Sequence, residues 1–287
     1  MSALALALVL AAAVIHASWN YLLKRSGGGT LFVWWFAMVS ALIYAPLAFA
    51  VVWWMQPTLT WPHYGLMFAS AILHTGYYMV LDRGYRSGGD LSLVYPLARG
   101  SGPLITVAVA ILVLGERPSV VALLGAFAIC AGAVLLTGNL RKLRDRGSLP
   151  AVGFALLTGG MIASYTLVDK VAVAAYLVPP LLQDWAANLG RVALMTPMAY
   201  SARTQLMPTW RKNRNAIVAV AILCPLSYIL VLSAMVFTPV SYIAPAREIS
   251  ILVATAMGTQ LLAEGEAGRR LTAALIMVAG IVCLAVG

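Results

Sequence analysis

Charge is what this chain has least of: 10% of its 287 residues are Asp, Glu, Lys or Arg, against 62% hydrophobic. Soluble domains carry about a quarter charged residues, so an ordinary water-solvated fold is excluded. Cysteine is also scarce. Cys130, Cys224 and Cys283 all fall within apolar stretches, which argues against a disulfide framework or a thiolate metal cluster. The histidines, His16, His63 and His74, show no zinc-protease spacing, and there is no nucleotide-binding motif. No cofactor or metal is therefore expected. The links between apolar runs are too short to hold a soluble domain. A net charge of +10 would suggest nucleic acid in a soluble protein; here the basic residues cluster in those links, where they set orientation in a bilayer. The lipid bilayer, not nucleic acid, is the expected large partner.

What the chain does contain is apolar runs of about 20 residues, each long enough to cross the hydrocarbon core as a helix. They predict spans near 3–23, 31–54, 64–82, 91–114, 118–137, 149–168, 177–200, 216–236, 240–263 and 271–286. The first run has no basic residue before it and continues past Trp19 to Leu23, so it reads as a retained span and not a signal peptide. In the second, Trp34 and Trp35 lie about 28 Å from Trp53 and Trp54 at about 1.5 Å per residue, close to the hydrocarbon thickness. These rings are expected to anchor the interfaces.

The two halves look alike. Ala17-Ser18-Trp19-Asn20 and Lys24 match Ala163-Ser164-Tyr165-Thr166 and Lys170 at an offset of 146. Ser92 and Pro96 match Ser241 and Pro245 at 149, and Glu116 and Gly132 match Glu264 and Gly280 at 148. This predicts an all-α membrane protein of ten helices: a first five-helix repeat over 1–140, a basic linker over 141–148 and a second repeat over 149–287. An odd number of spans per repeat inverts the halves around a central cavity. Fourteen link Lys and Arg residues fall on one side and two, Arg117 and Lys170, on the other. The positive-inside rule then makes the basic loops 141–146 and 203–214 cytoplasmic and both termini external, in a bacterial inner membrane.

Polar side chains within spans mark the candidate site. His74, Tyr77 and Tyr78 share one helical face, and polar atoms facing lipid would go unsatisfied. Rings with polar handles suit an amphiphilic solute. Trp19 and Asn20 pair with Ser164 and Tyr165 by the repeat. Tyr95-Pro96 and Ser241-Tyr242 with Pro245 place prolines in spans four and nine, as kinks that free a carbonyl for a cavity or simply as hinges. Intramembrane charges default to function: Arg99 and Glu248 occupy equivalent positions and are placed to form a bridge across the pseudo-two-fold axis, with Arg247 adjacent. Asp184, Asn188 and Arg191 form a polar stripe beside Trp185, serving ligand, gate or structural ion pair. Glu116 and Glu264 sit at span ends and are expected to cap or tether helix termini.

Tyr95-Pro96, Leu114-Gly115-Glu116-Arg117-Pro118, Ser241-Tyr242-Ile243-Ala244-Pro245-Ala246-Arg247-Glu248 and Glu264-Gly265 resemble the EamA-type ten-helix members of the drug/metabolite transporter superfamily. The likeness runs over essentially the whole chain. It implies export of amino acids or other metabolites through a cavity between the halves, and the aromatic polar stripe resembles the aromatic amino acid exporters among them. Eukaryotic relatives have cytoplasmic termini, opposite to the charge map here.

The expected function is therefore a secondary transporter exporting a small amphiphilic metabolite by alternating access, as a monomer and not as an enzyme. A proton-coupled exporter of organic cations is the alternative, although the first span lacks a carboxylate. Two other classes stay open: an intramembrane enzyme, for which Gly100-Ser101-Gly102 has no recognisable histidine partner spacing, and a non-transporting scaffold without a solute-sized cavity.

Overall fold

The computed structural model describes residues 1–86, 91–137, 149–257 and 267–287. The linker expectation at 141–148 and the capping expectation for Glu264 lie outside these residues. All the regular structure among the described residues is helical: α1 (Ala3–Arg25), α2 (Thr30–Met55), α3 (Trp61–Arg86), α4 (Leu91–Val113), α5 (Val120–Thr137), α6 (Leu149–Ala174), α7 (Pro180–Ser201), α8 (Arg203–Phe237), α9 (Val240–Ala246), α10 (Ile249–Met257) and α11 (Ala267–Val286).

Local chemistry sets several ends. The Ser2 hydroxyl accepts from the Ala5 amide at the start of α1, and Lys24 and Arg25 close its last turn, where cations complement the helix dipole. Lys170 donates to the carbonyls of Met235 and Thr238 at 2.7 and 3.0 Å, at the C-terminus of α8. Five helices, α1, α2, α6, α8 and most of α11, are long and apolar enough to cross a membrane. The polar stripes of α3 and α7 set those two apart. Large apolar side chains stand outward, with Phe49 66% and Leu112 82% exposed, as lipid-facing surface requires and water-facing surface rarely shows.

Three boundaries differ from expectation. The stretch 203–214, expected as a basic loop, is the first three turns of α8. Its Arg, Gln, Leu, Met and Lys are good helix formers, and Trp35 fastens it by donating to the Leu206 carbonyl at 3.0 Å and packing on Trp210. Trp34 likewise donates to Thr196, so this tryptophan pair ties helix ends together, whereas Trp53 and Trp54 stand 81% and 84% exposed. The sixth span runs on to Ala174 and takes in Asp169 and Lys170. The ninth is broken at Arg247-Glu248. Pro245 has no amide hydrogen, and Glu248 and Ile251 turn tightly onto the Pro245 and Glu248 carbonyls. Glu116 accepts from the amides of Val240 and Ser241 at 2.8 and 2.9 Å, capping α9 as expected.

Packing joins early helices to late ones: α5 to α11, α4 to α6, α1 to α8 and α10, α3 to α6 and α7, and α2 to α7 and α8. Between α5 and α11 the backbones nearly touch. A Cβ on Gly125 would lie 2.7 Å from the Gly280 carbonyl, and one on Gly280 lies 2.8 Å from that of Gly125. Small residues permit that approach where apolar burial gives no drive between helices in lipid.

Candidate functional site

The side chains of α1, α3, α4, α6, α7 and α8 enclose a cavity of about 290 Å³, closed on a further side by Arg247 at the α9–α10 break. Helix α3 supplies His74, Tyr77 and Tyr78, and α6 supplies Tyr165. His74 stacks on Tyr165 with ring centres 4.0 Å apart, and Tyr228 of α8 meets the same imidazole edge-on at 5.2 Å. Tyr77 touches both Tyr78 and Tyr165. Five rings from three helices thus form one continuous aromatic wall.

Two guanidiniums lie against opposite ends of that wall. Arg191 sits 5.3 Å from the centre of the Tyr78 ring and Arg247 5.4 Å from that of Tyr228, within cation–π range. Arg191, 5% exposed, donates to Asn188, which donates in turn to the Asp184 carboxylate at 2.9 Å. The stripe at i, i+4 and i+7 is therefore one hydrogen-bonded chain, and all three members line the cavity. Arg247 bonds only weakly to the Thr166 hydroxyl, at 3.4 Å. Arg99 forms the bridge expected with Glu248, at 2.8 Å, and also donates to Ser250. Arg99 thus carries its own counter-ion from the other half of the chain, whereas the direct hydrogen-bond partners of Arg191 and Arg247, Asn188 and Thr166, are neutral.

On α1, Trp19 and Asn20 line the cavity as expected. The Trp19 indole donates to Ser227, and the Asn20 amide to the His16 carbonyl.

Four expected site residues lie elsewhere. Ser164 returns its hydroxyl to the Gly160 carbonyl on an exposed face. Trp185 donates to the Ala41 carbonyl and meets Phe49 edge-on, fastening α7 to α2. The Tyr242 hydroxyl reaches Gly287 and the Ser119 amide, and Ser241 meets Glu116 through its backbone. For Trp185, Tyr242 and Ser241 the partner is distant in the chain, where local spacing does not reveal it, whereas Ser164 bonds within its own helix. Glu248 sits behind Arg99 and not on the cavity wall. Tyr95, Pro96 and Ser92 belong to α4, but their side chains lie outside the described residues.

The sequence reading missed Asp169, Tyr228 and His16. Asp169 has no solvent exposure. Its carboxylate meets His74 Nε2 at 3.1 Å, the Gln183 amide at 2.8 Å and the Tyr228 hydroxyl. A sixth span predicted to end at 168 leaves this residue in a link, although Tyr165 and Asp169 stand at i, i+4 on one face. Tyr228 follows Tyr78 at an offset of 150, near the repeat offsets, which was the signal available for it. Among the described residues no three His, Cys, Asp or Glu side chains converge as metal ligands.

No protein-family model and no curated protein matches the chain. Its fold is similar to that of a solved chain described only as "Crystal structure of protein", with a TM-score of 0.75 and 16% sequence identity over 98% of this chain and 97% of that one. At that identity the likeness speaks for the fold alone.

Proposed function

We propose that this protein is a secondary carrier that moves an amino-acid-sized amphiphile through the cavity by alternating access, outward down the solute's gradient. The supporting observation is the cavity's composition: an aromatic wall with two guanidiniums at its ends and the Asp184 carboxylate beside one of them. A ring-bearing α-amino acid complements it, the ring on the tyrosines, the carboxylate on arginine and the ammonium on Asp184. A volume near 290 Å³ is at the small end of ligand pockets, which run about 300–1,000 Å³, and favours a metabolite over a large drug.

The packing pairs support two inverted five-helix repeats making ten spans. Exchanging α1 with α6, α2 with α7, α3 with α8, α4 with the α9–α10 pair and α5 with α11 maps that set of pairs onto itself. The charge bias supports a cytoplasmic location for the basic ends, 141–146 and 203–214. The hydroxyl of Ser101 donates to the Leu97 carbonyl of its own helix, which favours the carrier over a serine-dependent enzyme.

Thermal unfolding of the purified protein with L-phenylalanine, L-tryptophan, phenethylamine and 3-phenylpropionate tests the reading. A ligand of the native state at 100 times its Kd stabilises by about 2.7 kcal/mol. The two amino acids should raise the midpoint more than the analogue lacking a carboxylate or the one lacking an amine. No shift with any of the four at millimolar concentration would remove the amino-acid assignment.

A further inference from the structure

We propose that His74 and Asp169 form a proton-binding site, so that one proton travels with each solute; this rests on the carrier reading above. An ionised carboxylate can only accept hydrogen bonds. Asp169 receives two, from Gln183 of α7 and Tyr228 of α8, and its third contact is His74 Nε2 of α3. Nε2 must therefore carry the hydrogen, which leaves Nδ1 as the ring's basic nitrogen. Among the described residues Nδ1 has no hydrogen-bond partner, and the ring borders the cavity. A buried carboxylate thus fixes the tautomer and orientation of an imidazole whose other nitrogen is left for water or solute.

The proton balance is simple. Neutral His74 takes a proton at Nδ1 from water on one side of the membrane and becomes imidazolium, while Asp169 stays a carboxylate. Release returns that proton to water on the other side. The contact joins α3 to α6, whereas the other two donors to Asp169 come from α7 and α8, in the same half as Asp169 itself. Protonation converts a hydrogen bond from a neutral imidazole to a carboxylate into an ion pair between the halves, so proton occupancy bears on how firmly they are joined beside the solute.

The groups around His74 set the sign of the coupling. From α6 it meets Tyr165 and Asp169; from α8, Tyr228, with Cys224 nearby on the wall. Facing it across the cavity are Arg191 and Asp184 of α7, Arg247, His16 of α1, and Arg99 of α4 with its own counter-ion Glu248. A solute carboxylate in the cavity lowers the positive field of the two guanidiniums at an imidazolium. Solute and proton then favour each other's binding, reciprocally, and efflux of solute carries a proton outward.

Nitrogen NMR of the three imidazoles, with the protein in nanodiscs and His74 assigned by loss of its signal in His74→Gln, reads the site directly. Between pH 8.5 and 5.5 His74 should pass from the neutral Nε2–H tautomer to imidazolium. Asp169→Asn should lower its proton affinity at least fivefold. Tyr228→Phe, which removes a donor to the carboxylate, should raise it, and keeps the test decisive if Asp169→Asn does not fold. L-Phenylalanine should raise it in the parent. A single protonation state throughout, or one indifferent to these changes, overturns the proposal. In proteoliposomes holding L-phenylalanine and a lumenal pH dye, solute efflux should carry protons at a fixed ratio. Net solute efflux without proton movement overturns the proton site and leaves the carrier reading standing. A titrating His74 in a protein that exchanges no amino acid overturns the carrier reading and the coupling with it.

Discussion

At the scale of single residues, helical spacing brought the site together. His74, Tyr77 and Tyr78 were legible because polar rings at i, i+3 and i+4 in an apolar helix have nowhere to face except the protein interior, and Tyr165 because it matches Trp19 in the repeat; all four meet at the cavity. Trp185 and Tyr242 had the same composition without the same position, since each bonds to a backbone group distant in the chain, while Ser164 bonds back to its own helix and Ser241 meets Glu116 through its amide. Removing one ring contact costs about 0.5–1.5 kcal/mol beyond area burial, so Tyr78→Ala should weaken apparent solute affinity several-fold, read from the concentration dependence of ligand-induced stabilisation. Hydrogen bonds to charged groups contribute about 1.5–3 kcal/mol. Arg191→Gln and Arg247→Gln should each therefore weaken it at least tenfold for L-phenylalanine, and much less for phenethylamine, which has no carboxylate. Trp53→Phe and Trp54→Phe serve as controls, because those rings stand on the exposed surface and do not line the cavity.

The elements show what periodicity hides. Hydropathy located the five helices that are long and apolar enough to cross a membrane, and the paired prolines marked stretches four and nine as unusual. The break in the ninth at Arg247-Glu248, however, depends on a partner 149 positions earlier in the chain, Arg99. With 5% and 2% exposure, that ion pair has no water to fall back on, and removing one member of a buried pair costs about 3–5 kcal/mol. Arg99→Met and Glu248→Met should each lower the thermal midpoint sharply, while the double variant recovers most of the loss. Recovery separates an uncompensated charge from lost packing. Glu116 acts at the other end of α9. Glu116→Ala leaves the Val240 and Ser241 amides without their carboxylate, and a lost cap costs about 0.5–2 kcal/mol. A measurable drop in midpoint should follow, whereas an unchanged midpoint would mean that water replaces the carboxylate.

For the whole molecule, the near-constant offsets between halves predict which helices would exchange places under the proposed repeat, and the packing pairs are compatible with that exchange. Sequence could not supply the cavity's contents in full, because Asp169 enters only once α6 is seen to run past its hydropathy limit and pack on α3, and Tyr228 only once its side chain is seen to meet His74 and Asp169. Orientation is open to a direct check. In a variant lacking the native cysteines, Gln205→Cys at the basic start of α8 should react with an impermeant thiol reagent in everted vesicles and not in intact spheroplasts. The reverse pattern would invert the charge-based topology. The most direct measurement of carrier function is counterflow: proteoliposomes loaded with unlabelled L-phenylalanine and diluted into a trace of the labelled amino acid. A carrier accumulates label transiently above the external level, and Arg191→Gln and Arg247→Gln should each reduce the initial rate at least tenfold at subsaturating solute while folding normally. Label that only equilibrates, or arginine variants that exchange like the parent, would contradict a carrier whose pathway runs through this cavity.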